Sequence, residues 1–189
     1  MIQAIAASFD NFFDANAKCD VLVIACMDNR FWPIVLDYVS NNLKVSRYDL
    51  SLIPGGIQAI VNKEEVAMKA VNLAVTAHHV KRILLFNHVD CGAYGGKKKF
   101  DHDHGHETNF HSKDLLAAKS IIDESHPGRE VTTFFISHCS KKHNIEILSI
   151  EAWPLPIITQ ISPLQRRDFL FDKKTSVFYI NSSFGSLFF

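Results

Sequence analysis

Val21-Leu22-Val23-Ile24-Ala25-Cys26-Met27-Asp28-Asn29-Arg30 and Arg82-Ile83-Leu84-Leu85-Phe86-Asn87-His88-Val89-Asp90-Cys91-Gly92 are the two stretches that decide how this chain folds. Each opens with a short, unbroken apolar run rich in Val, Ile and Leu and flanked by helical patterns, the signature of a parallel strand buried on both faces. Each run then delivers chemistry-bearing residues where the strand must end: Cys26, Asp28 and Arg30 after the first, His88 and Cys91 after the second. Open α/β sheets bind their ligands at the carboxyl ends of their strands. Two thiolates and one imidazole form a three-ligand metal set, one short of the closed tetrahedron of a structural zinc site. A missing fourth ligand is the mark of a site that does chemistry.

Outward from these stretches the chain alternates. Ile5, Ala6, Phe9, Phe12 and Phe13 recur at helical spacing and predict an amphipathic helix over Ile2 to Asn16. Pro33 fits the first turn of a helix whose apolar face is Ile34, Val35, Tyr38 and Val39 and whose exit is Asn41-Asn42. A second strand is expected from Arg47 to Ile53, closed by Pro54-Gly55-Gly56, a turn that lets backbone approach a site closely. Asn62 with Glu65 resembles a capping box. The helix it opens would bury Val66, Ala67, Ala70, Val71, Ala74 and Val75, with His78, His79, Lys81 and Arg82 complementing the dipole at its end. After Gly92, Gly95 and Gly96, Lys97 to His111 reads as a polar loop. A helix from about Ser112 to Ser125 stops at Pro127-Gly128, and Val131 to Ser137 reads as a fourth strand. The fold class is therefore α/β, an open, mostly parallel sheet of order 2-1-3-4 flanked by helices. In that order strands one and three are neighbours at the switch point, so Cys26 would face His88 and Cys91 across one crevice.

The 189 residues, 47% hydrophobic and 21% charged, suit one domain with a sizeable core. Lys plus Arg equals Asp plus Glu and no basic stripe breaks the balance, so neither nucleic acid nor a membrane surface is expected as partner. No Lys or Arg precedes Lys18, no apolar stretch approaches a membrane span, and the protein is read as cytoplasmic. In a reducing compartment the cysteines beside His88 are metal-binding or catalytic, whereas Cys19 and Cys139 read as small buried hydrophobes. Residues 1–150 read as a single α/β zinc-binding domain. Residues 151–189, with six of the fifteen Phe and one Gly, read as an apolar extension buried against a partner subunit, with Ser176 to Ile180 as an edge strand.

With Cys26-x-Asp28-x-Arg30 and His88-x-x-Cys91-Gly92 both at strand ends, the chain resembles the β-class carbonic anhydrases, from about Ala17 to Ala93 and more loosely to Ile150. The resemblance implies one Zn2+ per chain held by Cys26, His88 and Cys91, an Asp28–Arg30 pair beside it, and at least a homodimer. It implies reversible hydration of carbon dioxide to bicarbonate by a zinc-bound hydroxide, which the metal makes available near neutral pH. Asp28 would accept the hydroxide's hydrogen and aim its lone pair, while Arg30 would hold the carboxylate in a fork. Relatives of this family hydrolyse CS2 or COS by the same attack, and in one subgroup the aspartate closes the zinc site. Those are the rival readings: another linear substrate, or a non-catalytic zinc-binding or sensing protein. The chain departs from the family where Pro54-Gly55-Gly56 replaces the usual Ala-Gly-Asn, in the histidine-rich segment Asp101 to His106, and in the Phe-rich tail. His102, His104 and His106 could bind divalent metals weakly or relay protons. Asp90 reads as a turn residue, and Tyr94 either lines the site or packs.

Overall fold

A computed structural model describes residues 19–139, 144–151 and 177–180. The first strand is β1, Val21–Cys26, and every one of its side chains is buried. α1, Trp32–Asp37, carries Pro33 in its first turn and runs into a π turn over Tyr38–Asn42. β2, Asp49–Ile53, begins two residues later than Arg47. α2 is Gly56–Val61, α3 Glu65–Thr76 and β3 Arg82–His88. Two single 3-10 turns, Gly92–Tyr94 and Lys97–Phe100, lead to α4, His104–Ser125. β4, Glu130–Cys139, β5, Asn144–Ser149, and β6, Val177–Ile180, complete the elements.

The sheet order is β2-β1-β3-β4-β5-β6. β2, β1, β3 and β4 are parallel, as the apolar runs predict, whereas β5 and β6 add antiparallel to the far edge. β1 and β3 are central and covered on both faces, so their sequences show no polar alternation. α2 packs on α4, and the two lie against β1, β3 and β4. The core runs from Val23, Ile24, Leu84 and Leu85 in the sheet to Ile57, Ile60, Leu115 and Ile122 in the helices. No helix among the described residues is long and apolar enough to cross a membrane.

The strand register makes the crevice. β1 and β3 pair from Val21↔Arg82 to Ile24↔Leu85 and then part. Beyond that point β1 follows β2 as far as Cys26↔Ile53, and β3 follows β4 as far as His88↔Ile136. Each strand stays paired on its outer side while the gap between them opens.

Several expectations are corrected. α4 starts at His104, two turns before Ser112, so much of the expected polar loop is helix. Asp103 caps it, accepting from the N–H groups of Gly105 and His106. α2 begins directly at the glycine turn and was not foreseen, nor was β5. Asn62 ends α2 instead of capping α3, whose flanking residue is Glu64 with no side-chain cap. Val66 is 57% exposed and Ala70 half-buried, while Ala67, Val71, Ala74 and Val75 are buried as expected. α3 ends at Thr76 with no basic residue in its last turn, so the cations that follow do not serve its dipole. The helix expected over Ile2 to Asn16 and most of 151–189 lie outside the described residues. From that extension, Val177–Ile180 takes the sheet edge, within the strand expected there.

Candidate metal centre

Cys26, His88 and Cys91 meet at the point where β1 and β3 part, with their ligand atoms all within 4.8 Å of one another. All three are buried. Among the described residues no other group of His, Cys, Asp and Glu converges in this way. The two sulfurs are 3.9 Å apart.

His88 is held from three sides. Its Nδ1 lies 2.8 Å from the Val89 carbonyl, which can only accept, so Nδ1 carries the proton and Nε2 presents its lone pair. Phe31 stacks on the ring at 4.1 Å between centroids. The His88 backbone N–H donates to Asn87 Oδ1 at 3.0 Å. Nε2 is buried and has no hydrogen-bond partner. Buried polar atoms are almost always satisfied; this one converges with two thiol sulfurs, as a metal donor would. The donor set can therefore hold a metal ion.

The thiols share their protons unequally. Cys26 is driven well below the ordinary thiol range because the Cys91 thiol donates to it, with the amides of Asp28 and Gly55 adding to the effect against burial. Cys91 is pushed up by that same bond to Cys26 and by burial, with the amides of Ala93 and Tyr94 pulling the other way. The Gly55 N–H lies 3.4 Å from Cys26 Sγ. It reaches there because Gly55 is left-handed, φ 58°, and a Cβ on it would come within 2.6 Å of the Ala93 Cβ.

Asp28 and Arg30 stand at the mouth. Arg30 Nε and Nη2 fork the Asp28 carboxylate, at 3.0 Å to Oδ1 and 2.7 Å to Oδ2, and the Arg30 N–H also donates to Oδ1. This guanidinium holds the Asp28 carboxyl down at about 2, below the usual carboxylate range. An open depression of about 530 Å³ extends from Cys26 past Met27, Asp28, Arg30, Pro54 and Ala93. Tyr94 packs and does not line it: the ring is buried against the two cysteines, and its hydroxyl accepts from Asn87 Nδ2 at 3.2 Å. Cys19 is half-buried against the core, in keeping with its reading as a small hydrophobe.

Three residues were missed from sequence. Asp90 does occupy a turn, at φ 57°, but its carboxylate also pairs with Arg30 Nη1 at 3.0 Å. Glu107 and His111, one turn apart on α4, are buried behind the site. Asn87 Nδ2, a donor, lies 2.9 Å from His111 Nδ1, and burial pulls the imidazole down to about 3. His111 is therefore neutral, and its 3.9 Å approach to Glu107 is no ion pair. Spacing of i, i+4 was a usable signal for both, hidden by the reading of this segment as a loop.

The family model described as "Putative carbonic anhydrase" matches residues 16–146. An uncharacterized protein of Rickettsia bellii is 26% identical over 132 residues, 63% of this chain and 77% of that protein. Among solved structures, a tetrameric β-carbonic anhydrase of Sordaria macrospora is similar at TM-score 0.45 and 15% identity, over 65% of this chain and 78% of that one. A β-carbonic anhydrase of Trichomonas vaginalis is similar at TM-score 0.45 and 12% identity, over 71% and 85%.

Proposed function

The chain belongs to the carbonic anhydrase family which that model describes, and from this premise we propose that it catalyses the reversible hydration of carbon dioxide to bicarbonate with one zinc ion. The observation that carries the reading is the convergence of Cys26 Sγ, Cys91 Sγ and the unpartnered His88 Nε2. Tetrahedral zinc with two thiolates would set the sulfurs roughly 3.8 Å apart, given Zn–S bonds of about 2.3 Å. The 3.9 Å separation needs almost no adjustment. Three protein ligands leave one position for chemistry, and zinc held there supplies the Lewis acid that makes water nucleophilic near neutral pH.

The chain's own residues do the aiming. Asp28 Oδ1 accepts from Arg30 N and Nε, while Oδ2 takes Nη2 at 2.7 Å and only the longer branch of Nε at 3.2 Å, which leaves it the less committed acceptor. Oδ2 is then the acceptor for the nucleophile's hydrogen, which would turn the attacking oxygen toward the carbon of CO2. Asp28, gripped by Arg30 on both oxygens, is not among the converging ligand atoms, and this favours the catalytic reading over a closed, non-catalytic site. A homodimer or larger homo-oligomer and a cytoplasmic setting belong to the same reading.

The test is stopped-flow CO2 hydration with zinc content measured on the same sample. Stoichiometric zinc with turnover above buffer is the expected result. Stoichiometric zinc without hydration would overturn the proposal, and hydrolysis of CS2 or COS by that sample would replace the substrate.

A further inference from the structure

Arg30 is gripped on its far side as well. Its Nη1 meets Asp90 Oδ2 at 3.0 Å, and its Nη2 meets the Asp90 carbonyl at 3.1 Å. One guanidinium thus ties the loop after β1 to the loop after β3. Asp90 can present both groups only because its backbone is left-handed, a conformation that a residue with a side chain keeps when its surroundings hold it. Two bonds hold it. Asp90 N–H donates to Glu107 Oε1 at 2.6 Å, and Asp90 Oδ1 accepts from the Lys97 N–H at 3.1 Å. Glu107 comes from the first turn of α4 and is 2% exposed. A carboxyl is withdrawn from water only at a cost, so its bond to the Asp90 turn is worth that cost to the fold or to the site.

We propose that Glu107 is a positioning residue for the Asp28–Arg30 pair. It fixes the Asp90 turn, Asp90 fixes the plane of Arg30, and Arg30 fixes the Asp28 carboxylate. The chain of contacts runs from a buried carboxyl on α4 to the mouth of the depression through directional bonds, charge-assisted where Arg30 meets Asp90 and Asp28. Its effect on turnover rests on the proposed carbonic anhydrase reading; its effect on Arg30 does not.

The experiment compares zinc-loaded wild type with Glu107→Ala, Glu107→Gln and Asp90→Asn. Its first readout is the Arg30 Nε–H resonance in nitrogen-15 NMR, assigned by its loss in Arg30→Lys. Bonded to Asp28, this N–H should be protected from exchange in the wild type. Glu107→Ala should broaden or abolish the signal, and Glu107→Gln, whose amide oxygen still accepts from Asp90 N–H, should restore it. Asp90→Asn should weaken it without touching Glu107. In kinetics, Glu107→Ala should lower kcat by about 10-fold with KM nearly unchanged and metal retained. A merely structural Glu107 would lower stability and leave Arg30 protected, and that result overturns the proposal. So does an unprotected Arg30 N–H in the wild type, or a Gln variant that fails as Ala does with fold and metal intact. If Glu107→Ala does not fold, an Asp90→Asn protein with full protection at Arg30 overturns it instead. Absence of CO2 hydration in the wild type would sink the proposed function and leave the NMR comparison decisive.

Discussion

The two walls of the crevice are built differently. After β1 one more backbone bond, Met27 N–H to the Ile53 carbonyl, ends the pairing and the side chains turn outward: Met27 is 57% exposed, Asn29 and Arg30 face solvent, and α1 follows after a few residues. After β3 the Val89 N–H makes the matching bond to the Ile136 carbonyl, but there His88, Val89 and Cys91 all stay buried and Glu107 of α4 braces the turn that follows. One wall is open and polar, the other buried and braced. Metal ligands gain from rigidity and dryness, while groups that meet substrate need access. The difference divides holding from reacting, with Cys26 as the holding residue contributed by the open side.

The sharpest way to break that division is to remove the ligands. His88→Ala, Cys91→Ala and Cys26→Ala should each cost nearly all the metal and all the activity, since each deletes one of three donors. Metal per chain, measured by elemental mass spectrometry, checks this; a Cys26→Ala protein with full metal would detach Cys26 from the holding set. Next, Asp28→Asn should keep the metal and lose about 10- to 100-fold in CO2 hydration rate, because an amide nitrogen donates where a carboxylate only accepted. Full zinc and full activity in that variant would end the assignment of reaction to the open wall. Arg30→Lys should lie between this variant and wild type, as a point charge keeps Asp28 ionised without fixing its plane. The order of the two rates is the measurement, and a lysine variant below the asparagine variant would contradict it. The smallest effect is expected from replacing His102, His104 and His106 together with Ala. All three are exposed, and metal content and turnover in strong buffer should not change. A several-fold loss confined to weak buffer would sharpen the picture by giving the exposed start of α4 a proton-relay role.

The central fold was legible because β1 and β3 are apolar throughout, and the ligands stand where those runs stop. The start of α4 was not legible because its inward positions are Glu107 and His111. Polar residues on the buried face erase the apolar stripe by which a helix is recognised. Their partners, the Asp90 N–H and the Asn87 amide, come from β3 and its loop, which no local window contains. α2 was hidden for another reason: a six-residue helix that opens on a glycine has too little periodicity to detect. β5 alternates Ile145 and Ile147 with polar residues, yet without a partner strand in view it read as connection. Asn62 and Glu65 matched a capping spacing that the end of α2 had already claimed. On the site side, the Asp28–Arg30 pairing was readable from two-residue proximity, whereas Asp90 needed the third dimension.

Gly56 carries a consequence for substitution. It opens α2 directly over the end of β1, where a Cβ would stand 2.8 Å from the Ala25 carbonyl oxygen and 3.0 Å from its carbon. The neighbour is backbone in the central strand and cannot swing aside as a side chain would. An Asn placed here by one substitution would collide with the sheet before its amide reached the pocket. The position acts as a ratchet: any side chain requires α2 to move away from β1 first, so a second, coupled change must accompany the first.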